Sequence, residues 1–431
     1  MTRAEPFETL AGKVGSAMRT FMKMMFESRN GRKNDQRRNR AAILNPEMME
    51  DRRLFAIGAE MIAPVNTLHH EYESANASSF NGTHAVVWTV KNSVTGERDI
   101  MGRIFNSAGA PITPDFVVNN QPGRDDSDPT VAMDSNGNMW VAWERNNNGI
   151  RDILAAKFDQ TGTNLLGPMN TVVSVTSSLR DEYDPSIGCN RFGDFVVSYT
   201  VNMGGGNTDV YQARFNAGGA ALGTFAVASS PRPEGFSSLS RNLGGDYVIA
   251  WQFDGLLTSG AANSDIQARK FNNLGGALTG VLGIANTATR METAPTASID
   301  QAGASIFAWE SGPSGGSRDI IARRMSAANV LAPSFTIVNT AANETRPWIA
   351  LTPTSGQFAI VYESTAGGVT SSFVKEYSPA NVNVLTVNMG ASRNMPVVSV
   401  GPNHQYIVTY TNLVGVPGDP HQGVRRRHGV I

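Results

Sequence analysis

The sequence predicts an all-β fold, a seven-bladed β-propeller of four-stranded blades, and three observations predict it. An apolar, β-rich segment ending in Trp or Tyr recurs at Trp88, Trp143, Tyr199, Trp251, Trp309, Tyr362 and Tyr410, at intervals of 48 to 58 residues. Turn chemistry falls at the same two places in each unit. The last unit lacks an outer strand, and the N-terminal side of the repeat carries one to spare. A period near fifty marks radial repetition, which protects its short strand edges by closing on itself.

Strand a, the innermost, is short and runs into a Gly-containing turn, as in VAMDSNGN (Val131–Asn138), SIGCNRFGD (Ser186–Asp194) and LSRNLGGD (Leu239–Asp246). Asn-Gly and Gly-Gly supply the positive φ that tight hairpins need. Strand b is a continuous apolar run (MWVAWE, FVVSYT, YVIAWQ, IFAWE, FAIVYE, YIVTY), the pattern of a strand buried on both faces. Strand c repeats as DIMGRIF, DILAAKF, DVYQARF, DIQARKF and DIIARRM, partly alternating, so one face is half exposed. Strand d follows a second Gly/Asn turn, as in FVVNN (Phe116–Asn120) and FTIVNT (Phe335–Thr340). An acidic residue three before a Pro often opens the next unit.

The C-terminal unit has strand a (Val397–Val400), strand b (Tyr406–Tyr410) and a strand-c candidate (Gln422–His428), then stops. IAPVNTLHHE (Ile62–Glu71) aligns without a gap on FTIVNTAANE (Phe335–Glu344), a strand d with its loop. Pairing it with the last three strands is expected to close a ring of seven blades.

Residues 1–54 lie outside the repeat, which occupies 55–431. Phe7, Leu10, Val14, Met18, Phe21, Met22 and Met25 fall at helical spacing and predict an amphipathic helix. The basic stretch Arg29–Arg40 is expected to be disordered. This extension has a net charge of +5 and the remainder −6, an acidic body that argues against nucleic acid as a partner. Cys189 is the only cysteine, which excludes an intramolecular disulfide and leaves the redox compartment open. No run of about 18 apolar residues is present to span a membrane as a helix.

Two resemblances bear on location. RRNRAAILNPEMMEDRRLFA (Arg37–Ala56) resembles the LExLEDRRLL-like N-terminal segment of large extracellular proteins of planctomycete bacteria, through Leu44, Glu47, Glu50, Asp51, Arg52, Arg53 and Leu54. The blades resemble a bacterial repeat of surface and secreted proteins, seen here in DPTVAMDSNGNMWVAWE (Asp128–Glu144), DVYQARFNAGG (Asp209–Gly219) and FTIVNT. The resemblance implies an extracellular or cell-surface location, with the cytoplasm as the alternative. It implies no common chemistry.

The d-to-a and b-to-c loops of a propeller emerge on one face, its top, and both are acidic here. Glu71, Asp126, Glu182, Glu234, Glu292 and Glu344 form one series, broken by Arg393, and Glu144, Glu310 and Glu363 at the ends of strand b form a second. A ring of carboxylates suits a cationic or polyhydroxyl ligand, or a cation such as Ca²⁺. The structural alternative is pairing with Arg98, Arg151 and Arg318 before strand c and with Arg124, Arg290 and Arg346 in the d-to-a loops. That is the expectation for a feature repeated in every blade, and no metal or other cofactor is expected. Asp99, Asp152, Asp209, Asp265 and Asp319 of strand c read as turn hydrogen-bonders. Asp134, Asn136 and Asn138 around Gly137 read as a hairpin turn, since the calcium-loop pattern is incomplete.

The six histidines show no zinc spacing, and no GxSxG elbow, P-loop or dinucleotide fingerprint is present. The expected function is a monomeric binding or structural module whose top face takes a protein or polysaccharide ligand. The alternative is a carbohydrate-active hydrolase or lyase using top-face carboxylates, although nothing singles out two of them as catalytic. A scaffold of the WD-repeat kind ranks last, because strand c lacks the Trp-Asp ending.

Overall fold

A computed structural model describes residues 61–62, 70–92, 94–176, 179–256, 262–401, 404–412 and 423–430. The N-terminal extension, with its expected helix and basic segment, lies outside the described residues. Every regular element among those described is a β-strand, and the fold is a β-propeller of antiparallel four-stranded blades. Six blades are each built from four consecutive strands, a to d from the channel outward. They are His70–Ser78, His84–Lys91, Arg98–Phe105 and Phe116–Asn119 in the first; Asp125–Met133, Met139–Asn147, Ile150–Phe158 and Val173–Ser174 in the second. The third has Glu182–Cys189, Phe195–Gly204, Asn207–Phe215 and Ala221–Ala228, and the fourth Glu234–Arg241, Tyr247–Leu256, Ala262–Phe271 and Leu282–Ala285. The fifth has Met291–Ile299, Ser305–Gly312, Asp319–Met325 and Leu331–Val338, and the sixth Asn343–Leu351, Phe358–Ala366, Val369–Tyr377 and Asn383–Ala391.

This corrects the expectation of a seven-bladed propeller to one of six blades. Six are complete, and the remaining sector is a composite sheet of Arg393–Val400, Gln405–Asn412 and Gly423–Val430. Its outermost member is Met61–Ile62, joined among the described residues through Met61 to Arg426 and Ile62 to Arg425. Of the expected closing strand, Ile62–Glu71, Ile62 is so paired and residues 63–69 lie outside the described residues. Glu71 belongs to strand a of the first blade, which begins at His70.

What closes the ring more firmly is packing between the first blade and the composite sheet. Asn76 Nδ2 donates to the Val397 carbonyl at 3.0 Å and to Thr409 Oγ1 at 2.9 Å. The hydroxyls of Ser78 and Ser399 lie 2.8 Å apart. Around the ring, six of the seven core clusters join two neighbours, and the cluster around Trp88 lies within the first blade. Trp143 of the second blade packs with Ile100, Ile104 and Val118 of the first, and Trp309 of the fifth with Ile266 and Ile284 of the fourth. All seven repeat aromatics are buried, Trp143, Trp251 and Tyr410 completely. Their interval therefore records blade-to-blade packing.

Strand a faces the channel, where its backbone edge has no neighbouring strand, and an unpaired buried N–H is costly. Serine and threonine on one inner strand supply acceptors for the next. Leu239 N–H donates to Ser186 Oγ, Ile299 N–H to Ser240 Oγ and Leu351 N–H to Ser298 Oγ, at 2.9 to 3.1 Å. Close approach also limits residue size: a Cβ on Gly188 would meet Leu239 Cδ2 at 2.6 Å. At the opposite end, a cation near the end of strand c reaches into the next blade. Lys157 donates to the Ala217 carbonyl at 2.8 Å, Arg214 to that of Asn273 at 3.0 Å, and Lys270 to that of Gly303 at 2.7 Å. Cys189 is buried on an inner strand and burial pushes its thiol up to about 12.

Candidate functional site

Strand a is broken by a register shift in every sheet, between Tyr72 and Ala75, Ser127 and Thr130, Tyr183 and Ser186, Gly235 and Ser238, Thr293 and Thr296, Thr345 and Trp348, and Asn394 and Val397. One residue in each bulge has positive φ, and none is glycine: Glu73 (52°), Asp128 (51°), Asp184 (53°), Phe236 (51°), Ala294 (50°), Arg346 (54°) and Met395 (53°). That conformation costs an L-residue about 1–2 kcal/mol, and bulges commonly re-aim side chains. The seven residues line a depression of about 350 Å³ at one mouth of the channel. The backbone device is the same throughout and the side chains differ.

Five of the seven bulges are held by the blade before them. Asp184 N–H donates to Glu144 Oε1 at 2.7 Å, Arg346 N–H to Glu310 Oε1 at 2.8 Å, and Met395 N–H to Glu363 Oε1 at 2.6 Å. Gln252 Oε1 plays the same part for Ala294 N–H at 3.4 Å. In the first blade, where Thr89 takes the corresponding place, Glu73 Oε2 accepts from both Thr89 Oγ1 at 2.9 Å and Asp128 N–H at 3.3 Å. Glu144, Glu310 and Glu363 are thus brought to the mouth, but as inter-blade staples rather than free ligand groups.

The other acidic series does not converge on the mouth. Glu71, Asp126, Glu182, Glu234, Glu292 and Glu344 are all at most 3% exposed, two residues before the bulge residue in each strand a. Several turn back onto the loop that precedes them. Glu234 accepts from Ser230 N–H and Glu292 from Thr287 N–H, both at 3.3 Å, while Glu344 accepts from the Thr340 hydroxyl. Asp126 is held by Arg145 at 2.8 and 2.9 Å and by Asn119. Burial raises the carboxyls of Glu234 and Glu292 above the usual range. These residues tie the d-to-a loops down, which overturns the picture of a single acidic ring. The strand-c aspartates behave as read: Asp152 accepts from Asn147 at 2.7 Å and Asp265 from Asn263 at 3.0 Å. Asp134 Oδ1 closes its hairpin by accepting from Asn136 and Asn138 N–H.

The arginines near the mouth are engaged elsewhere. Arg98 holds Asp125 at 2.7 Å, and Arg151 holds Asp181 at 2.8 Å while stacking over the Tyr183 ring at 4.1 Å. Each guanidinium keeps its own carboxylate partner, Asp125 or Asp181, below the usual range. Asp128 and Asp184 make no salt bridge among the described residues. Burial, with the charge of Asp128 next, pushes Glu144 up to about 7 and Asp184 up to about 6. The mouth therefore has an acidic arc on the first three blades. Beside it on the fourth blade is exposed Phe236, 56% accessible, and on the sixth is Trp348, 38% accessible. Among the described residues no group of three or more His, Cys, Asp or Glu side chains is placed to hold a metal ion.

Glu73, Asp128, Asp184, Phe236 and Trp348 are the mouth residues that sequence reasoning passes over. The signal was the residue directly before the recurring Pro, at Asp128, Asp184, Ala294, Arg346 and Met395. A residue in that position is normally driven away from helical φ,ψ, so its left-handed conformation marks it once the structure is known.

No family model matches the chain, and no curated protein matches it. It is similar to the crystal structure of a protein of unknown function from Dyadobacter fermentans, with TM-score 0.51 and 10% identity, over 88% of this chain and 99% of that one. It is also similar to polysaccharide lyase Uly1, with TM-score 0.52 and 9% identity, over 87% and 99%. The α-L-arabinanase of Penicillium chrysogenum, complexed with arabinobiose, follows with TM-score 0.47 and 10% identity, over 87% and 98%. At these identities the likeness shows the fold alone.

Proposed function

We propose that this protein is a polysaccharide-binding propeller that works outside the cell or at its surface. The observation that carries the reading is the set of seven positive-φ residues at the mouth. A costly backbone conformation that glycine would adopt freely is imposed seven times on side chains of six kinds. Strain of that kind suits a rigid frame presenting a variable binding surface. A recess of about 350 Å³ fits the lower range of small-ligand sites, so its occupant is a sugar unit rather than a protein face. Exposed Phe236 and Trp348 offer apolar faces to a sugar ring, and the carboxylates offer acceptors to its hydroxyls. The extracellular part rests on the resemblance of Arg37–Ala56 to a segment of exported proteins.

A binder is favoured over a hydrolase or lyase because Glu144, a mouth carboxyl pushed up to about 7, is only 3% exposed. It is committed to Asp184 N–H, with Arg151 at 3.4 Å. Affinity electrophoresis against a panel of soluble polysaccharides tests the reading, with Trp348→Ala as control. Retardation by at least one polysaccharide, reduced in the variant and without release of reducing ends or unsaturated products, is expected. Retardation by none of them refutes binding, and product release moves the protein to the enzymes.

A further inference from the structure

Resting on the polysaccharide reading, we propose that the mouth selects a sugar bearing a protonated amine, with Trp348 against the ring and Asp128 and Asp184 on the ammonium. The first strut is the position of Trp348. It is the first paired residue after the bulge, and the equivalent residues elsewhere are Ala75, Thr130, Ser186, Ser238, Thr296 and Val397. One indole among six small or medium side chains narrows the passage where the mouth meets the channel, since Trp348 lines both. A ring entering from outside stops on it rather than threading through.

The second strut is where the acids stand. Trp348 belongs to the sixth blade, and three steps round the ring in either direction lead to the second and third blades. Their bulge residues are Asp128 and Asp184, so the indole faces the gap between two carboxylates. Arg98 and Arg151, the arginines nearest to them, spend their hydrogen bonds on Asp125, Asp181 and Glu144 and act on Asp128 and Asp184 only through space. Arg346 in the same recess leans to Glu363 at 3.7 Å. Among the described residues no cation is in salt-bridge contact with either aspartate. The third strut is independent of charge. Ser74 lines the same recess, is 5% exposed, and its Oγ has no hydrogen-bond partner; Asp184 Oδ2 is buried and lacks one too. Buried polar atoms are ordinarily satisfied, and a ligand with several N–H and O–H donors satisfies both. An aromatic face opposite carboxylates is also the arrangement that attracts a cation.

The test uses the full chain and three probes: a soluble glucosamine oligomer with free amines, its N-acetylated counterpart, and a neutral glucose oligomer, compared by calorimetry at two salt concentrations. The free-amine oligomer is expected to bind about tenfold or more tightly than the N-acetylated one, with the preference shrinking in high salt. Asp128→Asn with Asp184→Asn should bring the ratio to about one while the fold, read by thermal melting, is kept. Trp348→Ala should weaken all binding. Equal affinity for the amine and acetylated forms, or a ratio unchanged in the double variant, overturns the amine inference and leaves polysaccharide binding standing. Failure of all three probes, together with failure of the wider polysaccharide panel, overturns both.

Discussion

Replacing Glu144 by Gln isolates charge from hydrogen bonding at a strongly perturbed carboxyl of the mouth. The amide keeps an oxygen for Asp184 N–H, now 2.7 Å from Oε1, and removes a negative charge that is buried and faces Asp128 and Asp184. Burial pushes the carboxyl up to about 7 in the folded protein, from an ordinary 4.5. At roughly 1.4 kcal/mol per unit, ionising it in place costs the fold on the order of 3 kcal/mol. The sign follows from proton uptake. The folded state holds this proton more tightly than the unfolded chain, so the associated stability is fully present below about pH 4.5 and is lost as pH rises through 7. Arg151, 3.4 Å from Oε2, already holds that cost below what burial alone would impose. Glu144→Gln is therefore expected to be close to wild type at pH 5 and more stable at pH 8, by about 1–3 kcal/mol. Denaturant melts of both proteins at pH 5, 6, 7 and 8 read this directly. A stability difference that does not change with pH would refute the argument, and a variant weaker at pH 8 than at pH 5 would show that the pair with Arg151 outweighs desolvation.

Trp143→Ala should cost about 3–5 kcal/mol, the range for emptying a large core site, because the ring is fully buried between the first two blades; a loss under about 1 kcal/mol by chemical denaturation would place it outside the core. Phe236→Gly should leave stability within about 1 kcal/mol of wild type, since relief of a positive φ of 51° opposes the extra chain entropy of glycine, while weakening ligand retention. A large destabilisation there would show that the exposed ring packs rather than presents. Truncation to residue 70 should leave a cooperative fold, because among the described residues only two residue pairs are lost from the composite sheet. Truncation to residue 79 should abolish it, by removing the strand that carries the Asn76 and Ser78 contacts. Identical melting temperatures for the two truncations would refute this account of closure.

The repeat aromatics, the Gly-bearing turns and the apolar b strands were legible in the sequence because each is a local requirement repeated in every blade. Burial on both faces demands an apolar run, and a tight hairpin demands positive φ, wherever the neighbours come from. For the same reason the strand-c aspartates and the Asp134 hairpin could be read from a few adjacent residues. The acidic residues misled, because sequence spacing gives the face of a strand but not what covers it. Glu71 and Asp126 sit two residues from Glu73 and Asp128, yet the first pair is buried in the blades and the second opens on the mouth. A bulge with a left-handed residue separates them, and at Asp128, as at Asp184 and Ala294, a side chain of the preceding blade accepts the bulge N–H. Closure divides in the same way. The sequence by itself determined that the chain repeats and that its ends belong to one ring. Only the tertiary structure decided that a two-residue pairing and the inner strand of the first blade do the joining, because strand partners far apart in the chain are chosen by packing.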